Sequence, residues 1–261
     1  MDTAVETFRH FALRAWWLEA RCEILRVLRT PAFAVPTLLF APLFYTLFGV
    51  LLAPRGDGGP MSGAAISEYM LATYGVFGVM GVGLFGFGVN VAIDRQRGLL
   101  ALKRALPMPA GAWLGAKIVS AMLFASVCSL LLAAIAATLA GVSLAPMQWL
   151  GLFVVNVLGM LPFCALGLWI GTVSSGDASP AVVNIVYLPM SFLSGLVVPL
   201  AAFPSWLGAV APLWPSYHLG QVALKVVGRD AGQPLWLHLL VLTGVTVVCL
   251  LLARRRLATT A

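Results

Sequence analysis

The stretch Tyr69–Ile93, with the sequence YMLATYGVFGVMGVGLFGFGVNVAI, decides the fold of this chain. It runs for 25 residues without an Asp, Glu, Lys or Arg. A helix that crosses a bilayer needs ~20 predominantly apolar residues, and lipid cannot satisfy the backbone groups of an irregular segment. The stretch therefore predicts a membrane-spanning helix.

Five more apolar runs lie on either side of this stretch. The six predicted spans cover residues 33–53, 69–93, 113–140, 149–173, 181–200 and 235–253, the third being free of charge from Ile118 onward. Of all residues, 61% are hydrophobic and only 10% are charged, whereas soluble domains average ~45–50% and ~25%. We predict an all-α integral membrane protein with a six-span domain at 33–253, an amphipathic segment at 1–32 and a basic tail at 254–261.

The distribution of Lys and Arg predicts the orientation of the chain. Of the 16 such residues, only Arg55, Lys225 and Arg229 fall on one side of the predicted spans. Because cytoplasmic loops carry the excess of positive charge, we expect both termini in the cytoplasm. The net charge of +7 does not indicate a nucleic-acid partner, since the basic residues stand in blocks beside the spans.

Three segments outside the spans predict shorter helices. Residues 2–29 mix leucine and phenylalanine with acids and arginines, as in a helix that lies along a membrane surface. Between spans two and three, residues 94–112 (DRQRGLLALKRALPMPAGA) predict a short amphipathic cytoplasmic helix that prolines stop. On the outer side, the proline-interrupted stretch 201–234 favours short re-entrant or interfacial helices.

Two glycine motifs and the histidines do not indicate a cofactor site. GVGLFG at 81–86 matches a dinucleotide fingerprint, but it lies inside an uncharged run and is typical of close helix packing. GAWLGAK at 111–117 lacks the spacing and the final Ser or Thr of a phosphate-binding loop. His218 and His238 have no neighbouring ligand at metal spacing, so we expect structural histidines and no bound metal or cofactor.

The spans hold almost no ionisable groups. Ion-coupled carriers usually bury Asp, Glu, Arg or His along their path, so the energy source is expected outside this chain. The segment 94–112 is the obvious place for it to act. Polar residues in or near the spans fit either hydrogen bonding between helices or the lining of a substrate path; the candidates for the path are Asn90, Asn184, Ser191 and Ser194.

Three stretches together resemble the ABC-2 type permease, the membrane subunit of an ATP-binding-cassette exporter. The segment from Asp94-Arg95-Gln96-Arg97-Gly98 to the prolines is similar to the family's coupling helix. EARCEILRVLRTP at 19–31 resembles its interface helix, and PMSFLSGLVVPLAAFPSWLGAVAPLWP at 189–215 its fifth span and outer helices. Gln96, Leu99 and Met108 depart from the usual pattern, which leaves the subclass of the ATPase open.

The resemblance implies where an ATPase docks and what it supplies. ATP and Mg²⁺ would bind to the partner ATPase rather than to this chain. The residues implied in coupling are Glu23, Asp94, Arg95, Arg97, Gly98, Leu99, Leu102, Lys103, Arg104, Leu106, Pro107 and Pro109. Among them, the leucines would enter the ATPase, and the cations would pair with its acids or with lipid headgroups.

The resemblance also implies an assembly in a bacterial inner membrane. Two permease chains, as a homodimer, would join two ATPase copies, with membrane lipids around them. The substrate path would open between the permeases near spans one, two and five. The lack of buried charge suits export of an amphipathic, lipid-like or drug-like cargo. Two alternatives stay open: an ATP-independent secondary transporter or channel, and a membrane enzyme that uses Ser194 and His218.

Overall fold

The computed structural model describes residues 2–52, 63–105, 111–200 and 203–259, without the side chains of 2–13, 32–33, 63–64, 104 and 259. All regular structure in these ranges is helical, which confirms the all-α prediction. The α-helices are α1 Asp2–Leu28, α2 Pro31–Phe44, α3 Gly63–Gly83, α4 Asn90–Gln96, α5 Leu99–Ala105, α6 Ala112–Thr138, α7 Pro146–Gly159, α8 Leu161–Val173, α9 Ser179–Leu193, α10 Ser205–Val210, α11 Pro215–Val226 and α12 Leu235–Thr259. Tyr45–Leu51 and Leu84–Val89 are π-helical, and Ala211–Leu213 is a 3₁₀ turn.

Five helical segments among the described residues are long and apolar enough to cross a membrane. Several consist of consecutive helices: α2 continues into its π-helical segment, α3 continues through a π-helical segment into α4, and α7 continues into α8. The five segments are Ala34–Leu51, Ala65–Gln96, Ala112–Thr138, Pro146–Val173 and Leu235–Ala258. They coincide with five of the six predicted spans, because a long charge-free run has no other stable conformation in lipid.

The remaining predicted span is shorter than the sequence indicates. Its helix, α9, has 15 residues and a length of about 22 Å at ~1.5 Å per residue, against ~30 Å of bilayer core. The expectation of an uninterrupted run to Leu200 is wrong, since Gly195 adopts a left-handed φ of +79° just after the helix. Glycine tolerates this conformation and ends the helix there. A count of six spans stays a prediction.

Small residues bring the second span against α8. A Cβ atom on Gly167 would lie 2.9 Å from the carbonyl oxygen of Gly83, and one on Gly171 would lie 2.7 Å from that of Gly88. Real side chains do not tolerate such distances, so these backbones can approach only through glycine. The packing interpretation of the glycine-rich face is therefore confirmed for this contact.

The N-terminal helix α1 lies along the start of α6. Trp16 lies directly over Gly115, where any side chain would collide with the indole. The face of α1 that packs on the protein includes Ala20, Glu23 and Val27. The leucines of the predicted amphipathic pattern point the other way, as Leu18 and Leu28 are exposed. The leucine stripe is thus left for lipid or a partner.

Short helices follow α9, as the prolines predict. After α10 and the 3₁₀ turn, α11 is almost completely buried and packs on α3, α7 and α12. The hydroxyls of Tyr69 and Tyr74 donate to the carbonyl oxygens of Gly195 and Val197, which hold the chain after α9 against the second span. Whether these helices re-enter the membrane stays a prediction.

The bundle has two ends of different character. We call the end that holds α4, α5 and the start of α6 the basic end. The opposite end holds α10, α11 and the first turn of α12. The C-terminal arginines 254–256 belong to the basic end, because α12 starts beside α11 and runs along α8 toward Val173.

Candidate coupling site and substrate path

Four charged side chains from three helices meet at the basic end. Lys117 Nζ of α6 lies 2.6 Å from Glu23 Oε1 of α1 and 2.9 Å from Asp94 Oδ2 of α4, the second contact lacking hydrogen-bond geometry. Arg26 Nη1 donates to Asp94 Oδ1 over 2.7 Å. We call Glu23, Arg26, Asp94 and Lys117 the ionic cluster. It joins the N-terminal helix to the second and third spans.

The ionic cluster is electrically balanced, and three of its four side chains are buried, while the Arg26 side chain is 34% exposed. Asp94 is 1% exposed, Lys117 3% and Glu23 5%, and the two acids face two bases. Burial of charge costs free energy, so removal of one partner leaves an uncompensated charge in a dry site. The cluster therefore fixes which surfaces of α1, α4 and α6 meet, whatever its net contribution to stability.

The sequence of α1 places its acids on one face. Glu19, Glu23 and Arg26 follow the helical spacing of four and three residues, which puts their side chains in one row. Glu23 and Arg26 belong to the ionic cluster, and Glu19 forms an ion pair with Lys103 of α5. Helix α1 is therefore attached to α5 as well as to α4 and α6.

The end of α4 is held by the segment that follows α8. The guanidinium of Arg95 donates to the carbonyl oxygens of Thr172 and Ser174, the second over 2.7 Å. The Gln96 side chain accepts from the backbone of Gly176 over 2.6 Å and donates to Asp177 over 3.2 Å. Hence the segment between spans two and three also contacts the segment between spans four and five.

These contacts divide the residues implied in coupling. Glu23, Asp94, Arg95 and Lys103 have partners inside the chain, and the pairing of Arg95 and Lys103 with an ATPase or with lipid stays a prediction. Their partners in this fold are backbone carbonyls and Glu19.

Other coupling residues stay accessible. Arg97 and Gly98 are exposed, Leu99 is half-buried and Leu102 is 59% exposed. The left-handed φ of +70° at Gly98 separates α4 from α5 and so presents α5 as a unit of its own. Leu106, Pro107, Pro109 and the Arg104 side chain lie outside the described residues.

Cavities of about 290, 330 and 440 Å³ occur in the described bundle, and the one of 330 Å³ is lined by three aromatic side chains. This cavity, of about 330 Å³, lies between α2, the second span and α9. We call it the aromatic cavity; its lining includes Thr37, Phe40, Gly81, Phe85, Asn184 and Tyr187. The Tyr187 hydroxyl donates to Phe77, while the exposed Asn184 supplies a free amide at the rim.

Asn184 is the candidate path residue that the structure places at this cavity. Asn90 donates to Gly86 and accepts from Arg26, so it supports the ionic cluster. Ser191 and Ser194 are buried and donate to the carbonyl oxygens of Tyr187 and Met190 in their own helix. All three side chains therefore bond within the chain in this fold, and their assignment to a substrate path stays a prediction.

Sequence reasoning missed two members of the ionic cluster. The sequence alone identifies Lys117 only as a positive charge beside a span, and Arg26 only as one residue of the segment 19–31. The motif GAWLGAK held the signal, because the structure places Gly115 under Trp16 and Lys117 between two acids. Its glycine and lysine are thus explained by packing rather than by phosphate.

Sequence reasoning also missed a contact between the two outer histidines. His218 Nδ1 and His238 Nδ1 lie 2.9 Å apart and are buried. The proposed pairing of Ser194 with His218 is not formed: Ser194 donates to Met190, and the ring nitrogens of His218 contact His238 and Pro212.

The described charged groups at the opposite end form ion pairs with one another. Lys225 Nζ lies 2.5 Å from Asp230 Oδ2, and Arg229 donates to Glu68 over 2.6 Å. The hydrogen bond from Lys225 is the main cause that lowers the pKa of Asp230 from 3.8. Burial raises the pKa of Tyr217, which keeps this phenol neutral. The opposite end thus shows no excess of positive charge among its described side chains.

Comparisons with known proteins cover the region just described. A family model for the ABC-2 type transporter matches residues 14–227, which include the ionic cluster and the aromatic cavity. The chain is also similar to "Putative transport permease YvfS" of Bacillus subtilis (strain 168), with 26% identity over 234 residues. That similarity covers 89% of this chain and 92% of the relative.

Proposed function

This chain belongs to the ABC-2 type transporter family, and from that premise we propose that it is the membrane subunit of an ABC exporter. ATP would be hydrolysed by a separate ATPase subunit, two copies of which act on a dimer of this chain. The observation that carries the proposal is the ionic cluster, because it joins the segment that faces an ATPase in the resemblance to the spans that would have to move.

The orientation follows from the distribution of charge. Arg14, Arg21, Arg29 and Arg97 are exposed at the basic end, whereas Lys225 and Arg229 at the opposite end have acidic partners. By the positive-inside bias, the basic end faces the cytoplasm. In a bacterial inner membrane this orientation presents α1 and α5 to a cytoplasmic ATPase.

The ATPase would act on the exposed surface of α5. Leu102 is accessible there, and the ion pair between Lys103 and Glu19 carries a displacement of α5 into α1. From α1, the ionic cluster transmits that displacement to α4 and α6, since a buried ion pair cannot be parted cheaply. The cytoplasmic helices would then move with the second and third spans as one body.

The cargo would pass next to the aromatic cavity. Phe40, Phe85 and Tyr187 offer an apolar wall of rings, and Asn184 offers one polar group. Such a lining suits an amphipathic, lipid-like or drug-like molecule with little charge. Exposed apolar side chains on α2 and α9, among them Leu39 and Ile185, would face the second chain of a homodimer.

A substitution at Leu102 tests the docking surface. Leu102→Asp places a charge on an exposed side chain, so the fold should be retained while the apolar contact with the ATPase is lost. We expect at least a tenfold loss of the permease-dependent part of ATP hydrolysis in the co-purified complex. The matched control is Leu213→Asp, which alters an exposed leucine at the opposite end.

Full coupling in the double variant Leu102→Asp, Leu106→Asp would contradict this docking surface. An ATP-independent secondary transporter or channel predicts a different outcome, namely cargo flux from this chain alone at an unchanged rate in both variants. The same variants therefore distinguish an ATPase-driven exporter from an ATP-independent transporter or channel.

A further inference from the structure

The histidine pair, His218 and His238, joins two helices at the opposite end. His218 lies in the first turn of α11 and His238 in the first turn of α12. Their Nδ1 atoms are 2.9 Å apart, and the side chains are almost completely buried, at 3% and 0% exposure. No part of the transport proposal uses this contact, so it needs an explanation of its own.

The hydrogen bonds assign a proton to each ring. The second nitrogen of His218, Nε2, lies 2.9 Å from the carbonyl oxygen of Pro212, which can only accept. Nε2 of His218 therefore carries a proton, and in the neutral ring its Nδ1 is an acceptor. His238 must then donate from Nδ1, which leaves its Nε2 as an unprotonated nitrogen, buried and without a partner.

A metal ion does not fit this arrangement. Zinc at ~2.0–2.1 Å from both nitrogens in tetrahedral geometry would hold them roughly 3.4 Å apart, which is more than the observed 2.9 Å. Across the described residues there is also no group of three metal-ligating side chains. The ligand that matches two imidazoles in direct contact is a proton.

Among the described residues, no counter-charge lies in contact with the pair. Tyr217 packs edge-on against both rings at 5.5 and 6.4 Å, and it is a neutral phenol. Lys225 and Asp230, the nearest charges on α11 and the following turn, pair with each other. From α3, Tyr69 faces Tyr217, and Glu68 pairs with Arg229. Of the other packed helices, α7 has no titratable side chain and α8 has only Cys164.

We propose that His218 and His238 form a proton-binding site that holds α12 against α11 in neutral medium and releases it in acid. While the rings touch, the pair can bind at most one proton, at Nε2 of His238. A second proton would put two N–H donors face to face at 2.9 Å, which no hydrogen bond satisfies. Once separated and hydrated, the two rings bind two protons.

A difference of at least one proton between the two forms sets the direction and size of the pH effect. Below the ordinary imidazole value of ~6.5, the open form binds more protons than the closed form. By linkage, well below that value its population relative to the closed form rises about tenfold or more for each unit by which the pH falls. If the basic end faces the cytoplasm, this site responds to acid outside the cell; the acid response itself does not depend on transport.

The variant His238→Asn distinguishes the effect of protonation from the effect of the hydrogen bond to His218. Its amide nitrogen can replace the donating Nδ1–H toward His218, but it cannot titrate. We expect a thermal midpoint close to that of the parent at pH 8 and a smaller fall between pH 7.5 and 5. His10→Gln, which removes the remaining histidine from α1, is the matched control and should keep the full acid response.

Imidazole ¹⁵N spectra of the full-length protein in lipid nanodiscs test the protonation states directly, with His10→Gln as background. At pH 8 we expect Nδ1–H in one histidine and Nε2–H in the other. Two histidines with the same tautomer, or two independent titrations near pH 6.5, would overturn the proposal. So would an unchanged acid response in His238→Asn; if that variant fails to fold, the spectra alone decide.

Discussion

The two ends of this molecule stabilise their buried polar groups with different chemistry. At the basic end, polar groups are charged and buried in mutual ion pairs, as in Glu23 with Lys117. At the opposite end, buried polar groups are neutral and bond to backbone carbonyls, as in Tyr74 with Val197, or to each other, as in the histidine pair. Both arrangements leave few unsatisfied groups, yet they respond differently to force and to acid.

The difference indicates a division of labour. The ionic cluster resists separation, because Asp94 and Lys117 lose their compensating charges on α1 when the helices part. It therefore suits the end at which a mechanical input would enter. Neutral hydrogen bonds cost less to exchange for bonds to water. The opposite end can thus rearrange when α11, α12 and the segment after α9 move.

The largest expected effect comes from the ionic cluster. Lys117→Met removes one of the two bases that face Glu23 and Asp94 and leaves Arg26 alone with both buried acids, so we expect a loss of about 3–5 kcal/mol in the free energy of unfolding. The matched change at the opposite end, Lys225→Met, breaks a partly exposed pair and should cost about 0.2–1 kcal/mol. Thermal midpoints of the two purified variants measure the contrast.

If Lys117→Met and Lys225→Met lowered the thermal midpoint by the same amount, the proposed difference between the two ends would be wrong. A further variant, Lys117→Arg, keeps the charge but changes the shape of the base. It should recover part of the lost stability, which separates loss of charge from loss of packing.

A smaller effect is expected from acid at the opposite end. The hydrogen bond from Lys225 lowers the pKa of Asp230 below 3.8, so the folded state favours the ionised form more than the unfolded state does. The resulting stabilisation is present above about pH 4 and is lost as the pH falls through the lowered value. Because the pair is partly exposed, we expect about 0.2–1 kcal/mol.

The comparison of the parent with Asp230→Asn measures this contribution. The two proteins should differ at pH 6 and converge toward pH 3. A difference that grows with acid would show that Asp230 has the opposite sign of linkage.

Most of the helices could be predicted from the sequence, but the contacts between them could not. A long charge-free run forms a helix in lipid, so runs such as Tyr69–Ile93 were sufficient to predict the long helices. The end of α9 depended on one glycine, Gly195, whose left-handed backbone interrupts an otherwise apolar run. Hydropathy does not distinguish such a glycine from one that packs inside a helix.

The candidate site was predictable only in part. Helical spacing placed Glu19, Glu23 and Arg26 on one face, but it could not show which helix they meet. Lys117 and His238 pair with residues that are distant in sequence, and no local pattern marks either contact. A serine in a helix can bond to its own backbone, as Ser191 does, whereas Asn184 lies at the aromatic cavity; the sequence alone does not distinguish these two cases.

The central claim is that this chain moves its cargo only when a separate ATPase drives its basic end. The most direct measurement is the flux of an amphipathic fluorescent dye in proteoliposomes that contain this chain with or without its ATPase subunit. We predict ATP-dependent flux from the complex, and flux at the background level from the chain alone and from a complex whose ATPase cannot hydrolyse ATP. Equal flux in all three preparations would contradict the claim.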